Sequence, residues 1–301
     1  NHTPRLSSAA SDVYKRQALH LVAQVLVDPR APVVVGEPEY LGALQAFRTR
    51  GARLVPVPID ADGLDVDQLA AALAAGLAPA LVYLVPGFHN PTGASLAPGR
   101  RQRLLALAAA HDFLVVEDDP YRELAVDGPP APEPAAHPNL VVVRSTSKVL
   151  APGLRVGWVI GPRWLATAVE RAKQTADLHT SGLSQAIVAG ALTADWYPAH
   201  LERLRDEARI RRDALLDALR RHGRDRVRCT APSGGMFVWA SLIDGTDTDE
   251  LLPAALERGV AFVPGSAFAI ERNLRAHLRL SWATLSPTDL DEAVARLLSD
   301  G

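Results

Sequence analysis

Three clusters of polar residues stand directly after apolar runs that are typical of β-strands. Their sequences are PGFHNPTG at residues 86–93, DDPY at residues 118–121 and STSK at residues 145–148. Because ligands in open α/β sheets bind beyond the carboxyl ends of the strands, we expect the three clusters to line one crevice. Lys148 needs an explanation, since a lysine at the end of a buried strand is costly unless it is paired or used covalently.

Each cluster taken alone also has a purely structural interpretation. NPTG is a good turn and helix-entry sequence, and Asp118 and Asp119 are suited to cap a turn. Lys148 alone could extend its charged end to the surface. The order and spacing of the three clusters, with Arg155 seven residues after Lys148, form a specific signature that these separate interpretations do not explain.

The elements that must position these clusters are indicated by short apolar runs alternating with segments of helical period. Strands rich in Val and Leu without polar alternation, separated by helices, indicate a mostly parallel sheet covered on both faces. The predicted strands are residues 33–36, 53–57, 80–85, 113–117, 140–143 and 156–160, and the predicted helices between them are residues 40–51, 64–75 and 98–111.

The C-terminal half predicts a second, smaller unit. A helical pattern runs over residues 184–222 with an interruption near Trp196-Tyr-Pro198, and Gly223 is well placed to stop it. Beyond it the predicted order is strand, strand, helix, strand, strand, helix. We therefore predict a large domain at residues 18–200, then a long linking helix and an α+β domain at residues 201–301. The proline-rich residues 129–138 are predicted as a surface loop.

The first 17 residues differ in character from the rest of the chain. Residues 7–17 (SSAASDVYKRQ) can be back-translated to the transposon adapter used in preparing sequencing libraries. We therefore interpret residues 1–17 as non-native, and we expect the native sequence to continue from Ala18 and to lack an upstream part. A disordered native tail is the alternative interpretation.

Composition excludes several classes of protein. The 48% hydrophobic and 22% charged fractions are ordinary for a soluble globular chain, and the net charge of −2 argues against a nucleic-acid footprint. Residues 69–88 carry no charge, but Gly76, Pro79 and Pro86 favour a helix end, a loop and a buried strand over a membrane span. The single cysteine, Cys229, is predicted as a packed core thiol, and the histidines lack metal-ligand spacing.

The three clusters together resemble the fold type I pyridoxal-5′-phosphate enzymes of aminotransferase class I/II, in the aminoadipate, kynurenine and aromatic branch. The likeness runs from about Ala18 to the C-terminus. Supporting stretches are EPEY at residues 37–40, DLHTSGLSQ at 177–185, APSGGMFVW at 231–239, FVPGSAF at 262–268 and LRLSWA at 278–283. The resemblance implies an α/β fold of that type, N-terminally truncated, with pyridoxal 5′-phosphate as cofactor and no metal.

The resemblance assigns catalytic roles around the cofactor ring. Lys148 would form the Schiff base with the cofactor aldehyde and later act as acid and base in the proton shift. Asp118 would hold the pyridinium nitrogen protonated, which keeps the ring an electron sink. Asn90 and Tyr121 would hydrogen-bond the phenolic oxygen of the ring.

Binding roles come from the same resemblance. Ser145 and Arg155 would bind the phosphate. Asn90 and Arg279 would bind the substrate, whose carboxylate the planar fork of Arg279 matches. Tyr40 would stack on the ring, although an aromatic residue at a helix start is its plain interpretation. One departure matters: where the family has a Gly-Ser-Gln phosphate cradle, Tyr14-Lys15-Arg16 stands before Gln17.

The implied function is transfer of an amino group from an α-amino acid to a 2-oxo acid such as 2-oxoglutarate, by a cytoplasmic homodimer. Aminoadipate, aromatic and branched-chain substrates all stay open. The alternative is the cofactor-binding half of a MocR-type transcription regulator, whose winged-helix domain would lie upstream of this chain. A third interpretation keeps the cofactor but changes the reaction, for example to a carbon–sulfur lyase or a decarboxylase.

Overall fold

A computed structural model of the chain describes residues 13–299, with side chains from Arg16 onward. Residues 1–12 of the predicted non-native segment therefore lie outside the described residues. The first helix, α1 (Val13–Leu26), runs without interruption through Gln17 and Ala18. Gln17 lies inside this helix, and its side-chain amide donates a hydrogen bond to Asp177 Oδ2 at 2.8 Å.

A seven-stranded sheet has the order β3-β2-β1-β4-β5-β6-β7. Strands β1, β2, β4, β5 and β6 are parallel, while the two edge strands β3 and β7 run antiparallel to their neighbours. The predicted α/β class with a mostly parallel sheet is therefore confirmed. The strands are β1 (Pro32–Glu37), β2 (Arg53–Asp60), β3 (Gly63–Leu64), β4 (Leu81–Leu84), β5 (Leu114–Asp118), β6 (Leu140–Ser145) and β7 (Gly157–Ile160).

Both faces of this sheet are covered, because its strands carry apolar residues on each side. Alternate residues of β1 enter different cores: Val33 and Val35 pack with α1 and α2 (Leu41–Thr49), and Val34 packs on the opposite face. Helix α5 (Arg163–Asp177) lies with the first core. Helices α3 (Val66–Ala74) and α4 (Pro98–His111) cover the second.

One predicted boundary was wrong. The helix expected from residue 64 begins at Val66, because the chain first forms the short hairpin between β2 and β3. Gly63 has a φ of +86°, and a Cβ there would lie 2.8 Å from Leu96 Cα, so only glycine fits this turn. Asp65 then caps α3, since its carboxylate accepts hydrogen bonds from the amides of Asp67 and Gln68.

The long helical pattern divides as predicted into α6 (Gly182–Leu192) and α7 (Tyr197–Gly223). Helix α7 does end at Gly223, but the left-handed residue is Arg224, with a φ of +41°. A Cβ on Gly223 would lie 3.0 Å from Val227 Cγ2, a tight contact that would require Val227 to shift.

A second sheet follows with the antiparallel order β10-β11-β9-β8. Its inner face packs with α7 and α9 in a core of its own that includes Leu215, Leu280 and Val294. The predicted order of elements is confirmed, while the domain boundary at residue 200 falls inside α7 and stays a prediction. The elements are β8 (Val227–Cys229), β9 (Phe237–Leu242), α8 (Thr248–Glu257), β10 (Val263–Pro264), β11 (His277–Ser281) and α9 (Pro287–Leu297).

Two further predictions concern the uncharged residues 69–88 and Cys229. The uncharged residues 69–88 form the end of α3, a connection and β4, as expected, and none of the helices described is long and apolar enough to cross a membrane. Cys229 is exposed, so its prediction as a core thiol was wrong. The physical reason is that β8 is a short edge strand whose last two residues face solvent.

Candidate active site

The three polar clusters follow β4, β5 and β6, which are adjacent and parallel. The register pairs Leu84 with Glu117 and Asp118 with Val143, so the carboxyl ends of the three strands meet at one edge of the sheet. Asn90, Asp118 and Ser145 are buried there, with exposed fractions of 2%, 0% and 7%. The sequence-based expectation of a common edge is therefore correct.

Asp118 lies at the end of β5 on the face that carries α1 and α2. Its Oδ2 accepts a hydrogen bond from the Tyr83 hydroxyl on β4 at 2.8 Å. Burial and the negative charges of Asp118 and Glu39 raise the pKa of Tyr83 well above its usual value, so the phenol keeps its proton and stays a donor. A donor of this kind favours the ionised form of Asp118.

The loop after β6 carries Lys148, which is half-buried. Ser145 Oγ lies 2.8 Å from Ser147 Oγ and accepts a hydrogen bond from the Ser147 amide at 3.1 Å, which gives the loop a tight turn. The chain then returns antiparallel, and the amide of Thr146 donates to the Val156 carbonyl at 3.3 Å. This return brings the backbone next to Arg155 back to the turn.

Arg155 itself has a left-handed backbone with a φ of +57°. Its guanidinium donates a hydrogen bond to the Pro152 carbonyl at 2.9 Å. The structure thus places Arg155 on the loop that folds back onto the Ser145 turn. Its contact with a phosphate stays a prediction.

Arg279 on β11 reaches this edge from the second sheet. Its Nη1 donates a hydrogen bond to Asn90 Oδ1 at 2.8 Å, across 189 positions of sequence. The guanidinium carbon lies 4.1 Å from the centre of the Phe237 ring and 5.2 Å from that of Phe268. These contacts hold the planar guanidinium against two aromatic rings, and the hydrogen bond to Asn90 fixes its orientation.

Two tyrosines of the predicted site are buried beside these groups. Tyr121 is 1% exposed and packs edge-to-face on Phe237 with ring centres 6.0 Å apart. Tyr40 is 2% exposed and stands before the first turn of α2. A Cβ on Gly42 would lie within 2.5 Å of the Tyr40 ring, so this glycine lets the ring lie against the helix. The stacking role of Tyr40 stays a prediction.

The sequence interpretation missed Tyr83, Phe237 and Phe268 as parts of the site. Tyr83 is the aromatic residue in the otherwise aliphatic strand LVYL, and that contrast was an available signal. Phe237 and Phe268 both lie in stretches that carried the family resemblance, yet nothing in their spacing indicated that they flank Arg279. The pairing of β9 with β11 brings Phe237 to that arginine.

Comparison with known proteins decides the family. The model of the family described as aminotransferase class I and II matches residues 16–297. The chain belongs to that family. The aromatic-amino-acid aminotransferase 1 of Thermococcus litoralis is 38% identical over 94% of this chain and 69% of its own length.

A solved structure gives the same result in three dimensions. The crystal structure of α-aminoadipate aminotransferase from Thermus thermophilus, complexed with N-(5′-phosphopyridoxyl)-L-leucine, aligns with a TM-score of 0.89. It is 41% identical in sequence, and the alignment covers 94% of this chain and 74% of that one. This chain is therefore a pyridoxal-phosphate-dependent aminotransferase of fold type I.

A transcription regulator also matches this aminotransferase. The HTH-type regulator YdfD of Bacillus subtilis is 34% identical over 93% of this chain but over only 58% of its own length. The shared fold therefore occurs in enzymes and in regulators, and the fold by itself does not separate them.

The chemistry of the donor set fits pyridoxal phosphate. A fully buried carboxylate with a phenol donor suits a pyridinium N–H, and a lysine on a neighbouring loop suits an aldehyde. Hydroxyls at Ser145 and Ser147 and the cation of Arg155 suit a phosphate. Within residues 13–299, no group of three or more His, Cys, Asp or Glu side chains is placed to hold a metal ion.

Proposed function

We propose that this aminotransferase moves the amino group of an α-amino acid to a 2-oxo acid such as 2-oxoglutarate, with Arg279 holding the substrate carboxylate. The observation that carries this proposal is the 2.8 Å hydrogen bond from Arg279 to Asn90. It joins a guanidinium, whose fork matches a carboxylate, to the edge of the sheet that carries Asp118. A carboxylate bound there would have its α-carbon beside the cofactor-binding residues.

The proposed roles follow the chemistry of each side chain. When bound, pyridoxal phosphate supplies an aldehyde that joins amines and a ring that accepts electrons from the α-carbon. Lys148 holds the cofactor covalently through Nζ and moves the proton that leaves the α-carbon. Asp118 accepts the hydrogen bond of the ring nitrogen, and its ionised form is supported by the Tyr83 hydroxyl.

The remaining roles orient the cofactor and substrate. Asn90 and Tyr121 donate hydrogen bonds to the phenolic oxygen. Tyr40 covers the ring face. Ser145 and Arg155 hold the phosphate, the arginine through charge-assisted hydrogen bonds.

Replacement of Lys148 tests the central role. After reconstitution with the cofactor and dialysis, we expect wild-type protein to keep a visible absorption band and Lys148→Ala to lose it together with all transamination. The matched control is Lys173→Ala, because Lys173 pairs with Asp177 on the surface helix α5 and should leave the band unchanged. A visible band that survives in Lys148→Ala would remove the proposal.

The substrate class is tested by a panel of amino acids with 2-oxoglutarate as acceptor. Named relatives act on aromatic amino acids and on α-aminoadipate, so these two donors and a branched-chain one form the panel. Formation of glutamate identifies transamination, whereas a lyase or decarboxylase would consume the donor without it. Cofactor binding with no turnover of any donor would favour the regulator alternative.

We further propose that the enzyme is a homodimer through the face around α6. Leu183 and Ile187 of α6 expose 73% and 47% of their surface, and Leu178, which lies between α5 and α6, exposes 75%. Large exposed apolar patches mark interaction surfaces. We expect sedimentation to give a dimer that Leu183→Glu dissociates and that the control Ile243→Glu, exposed elsewhere, leaves intact. A dimer unaffected by Leu183→Glu would contradict this.

The cytoplasm is the proposed location of the enzyme. Support comes from the single cysteine of the sequence, Cys229, which leaves the chain no internal disulfide. Such usage fits a reducing compartment.

A further inference from the structure

Glu39 and His89 form a buried carboxylate–imidazole pair that none of the proposed roles uses. Glu39 stands just after β1 and His89 follows β4, which is the next strand in the sheet. Their exposed fractions are 0% and 2%, and Glu39 Oε1 lies 3.0 Å from His89 Nε2. The pair therefore links two loops at the active-site edge of the sheet.

A continuous set of hydrogen bonds extends from this pair in both directions. The Glu39 carboxylate also accepts the amide hydrogens of Tyr40 at 2.7 Å and Gly36 at 3.1 Å. On the other side, His89 Nδ1 lies 2.9 Å from Thr92 Oγ1, which in turn accepts the amide hydrogen of Ala94 at 3.2 Å. With the proton of the imidazole on Nε2, every group in the set has a partner.

Burial of a carboxylate is a poor way to gain stability, because desolvation of its charge offsets much of what its hydrogen bonds contribute. Apolar residues of similar volume would fill the same space at less cost. A buried, fully hydrogen-bonded network instead restricts geometry, since its donors and acceptors fit in one arrangement. The pair is therefore best explained by the residues that it holds in place.

Those residues are direct neighbours of the pair in sequence. Tyr40 follows Glu39, and its own amide is bound by the Glu39 carboxylate. Asn90 follows His89 and accepts the hydrogen bond of Arg279. The Glu39 amide also donates to the Phe268 carbonyl at 3.0 Å, and the Phe268 ring flanks the same arginine.

We propose that Glu39 and His89 are positioning residues, which fix Asn90 and Tyr40 relative to each other and so direct the guanidinium of Arg279. The inference rests on the proposed function, because it takes Arg279 as the substrate carboxylate site. The pair acts through its neighbours and does not itself bind substrate. Small displacements of substrate-orienting groups lower activity steeply. Loss of the pair should therefore weaken substrate binding more than a general loss of stability does.

The test compares His89→Leu, His89→Gln and Leu104→Ala. Leucine removes both hydrogen bonds of the imidazole, whereas glutamine places an amide donor near the position of Nε2. Leu104 is fully buried on the opposite face of the sheet, so its truncation lowers stability without touching the pair. We expect His89→Leu to raise KM for the amino acid about tenfold or more and His89→Gln to restore most of that loss.

A second readout needs no cofactor. In the cofactor-free protein, hydrogen exchange of residues 36–40 and 89–94 should be about tenfold or more faster in His89→Leu and near wild type in His89→Gln. Leu104→Ala should change neither KM nor the relative exchange of these two segments. If His89→Leu does not fold, Glu39→Gln, which keeps the side-chain volume, gives the same comparison.

The outcomes separate this inference from the proposed function. Wild-type protein without a visible band or turnover would overturn the proposed function. Normal wild-type behaviour with unchanged KM and exchange in His89→Leu would overturn the positioning role alone. Equal effects in His89→Leu and Leu104→Ala would also overturn it, because they would reduce the pair to general stability.

Discussion

Three consecutive carboxylates, Glu117, Asp118 and Asp119, stand at the end of strand β5, and all three are buried. Their hydrogen-bond partners differ between the two faces of the sheet. On the face covered by α4, Arg101 binds Glu117 with two hydrogen bonds of 2.6 and 3.1 Å. Asp119 lies 3.3 Å from the guanidinium of Arg144. On the other face, Asp118 accepts a hydrogen bond from the phenol of Tyr83.

The difference lies in the charge of the hydrogen-bond donor that each carboxylate meets in these contacts. A guanidinium both hydrogen-bonds a carboxylate and cancels its charge, whereas a phenol supplies the hydrogen bond and no charge. The Asp118 face therefore stabilises an anion without neutralising it through that contact. Such an environment suits a carboxylate that must attract the proton of a cofactor nitrogen.

The largest effect that tests this contrast is on turnover. Asp118→Asn keeps the size of the side chain but removes its charge, so we expect transamination to fall by on the order of 10³-fold or more. Glu117→Gln makes the same chemical change one residue earlier, on the other face, and should leave turnover within about threefold of wild type when the protein is folded. Steady-state kinetics on both variants measures the two losses of turnover. Similar losses in the two would show that the carboxylates on the two faces do not differ in their effect on turnover.

A second effect concerns stability on the α4 face. Arg101→Ala leaves Glu117, 3% exposed, without its guanidinium partner, and we expect a loss of about 3 kcal/mol in the free energy of unfolding. Arg103→Ala is the matched control on the same helix, because its ion pair with Asp67 is exposed and should contribute less than about 1 kcal/mol. Denaturant unfolding measures the free energy of unfolding of both variants. Equal losses would show that the burial of Glu117 does not increase the contribution of its ion pair.

Part of this contrast was predictable from the sequence. The order of strands and helices predicts a parallel sheet. Because parallel strands bring their carboxyl ends to one edge, the sequence predicts that Asn90, Asp118 and Ser145 lie together. The family resemblance added their roles. These predictions needed only the order and type of the elements.

The partners of these residues were not predictable in the same way. A strand buried on both faces is apolar throughout, so its sequence does not say which face each residue occupies. The contacts between Arg101 and Glu117, between Tyr83 and Asp118, and between Arg279 and Asn90 are tertiary, and the last spans both sheets. Glu39 and His89 likewise meet only after β1 and β4 are paired side by side.

A third effect concerns Asp119 and depends on pH. Burial raises the pKa of Asp119 from 3.8 to about 6, since the nearby Arg144 and Arg122 offset desolvation only in part. Between these two values the folded protein holds a proton that the unfolded chain has released. Its contribution to stability therefore falls as the pH rises from about 4 to about 7, by at most about 3 kcal/mol.

Asp119→Asn cannot release this proton, so it should become more stable relative to wild type over the same pH range. Urea unfolding of both proteins at several pH values between 4 and 7 measures the change, and effects of other carboxyl groups cancel in the difference. A difference that stays constant across the range would mean that Arg144 and Arg122 offset the desolvation of Asp119 completely. In that case both carboxylates on the α4 face, Glu117 and Asp119, would be held by arginines in the same way. Their difference from Asp118 would then be clearer than the raised pKa of Asp119 suggests.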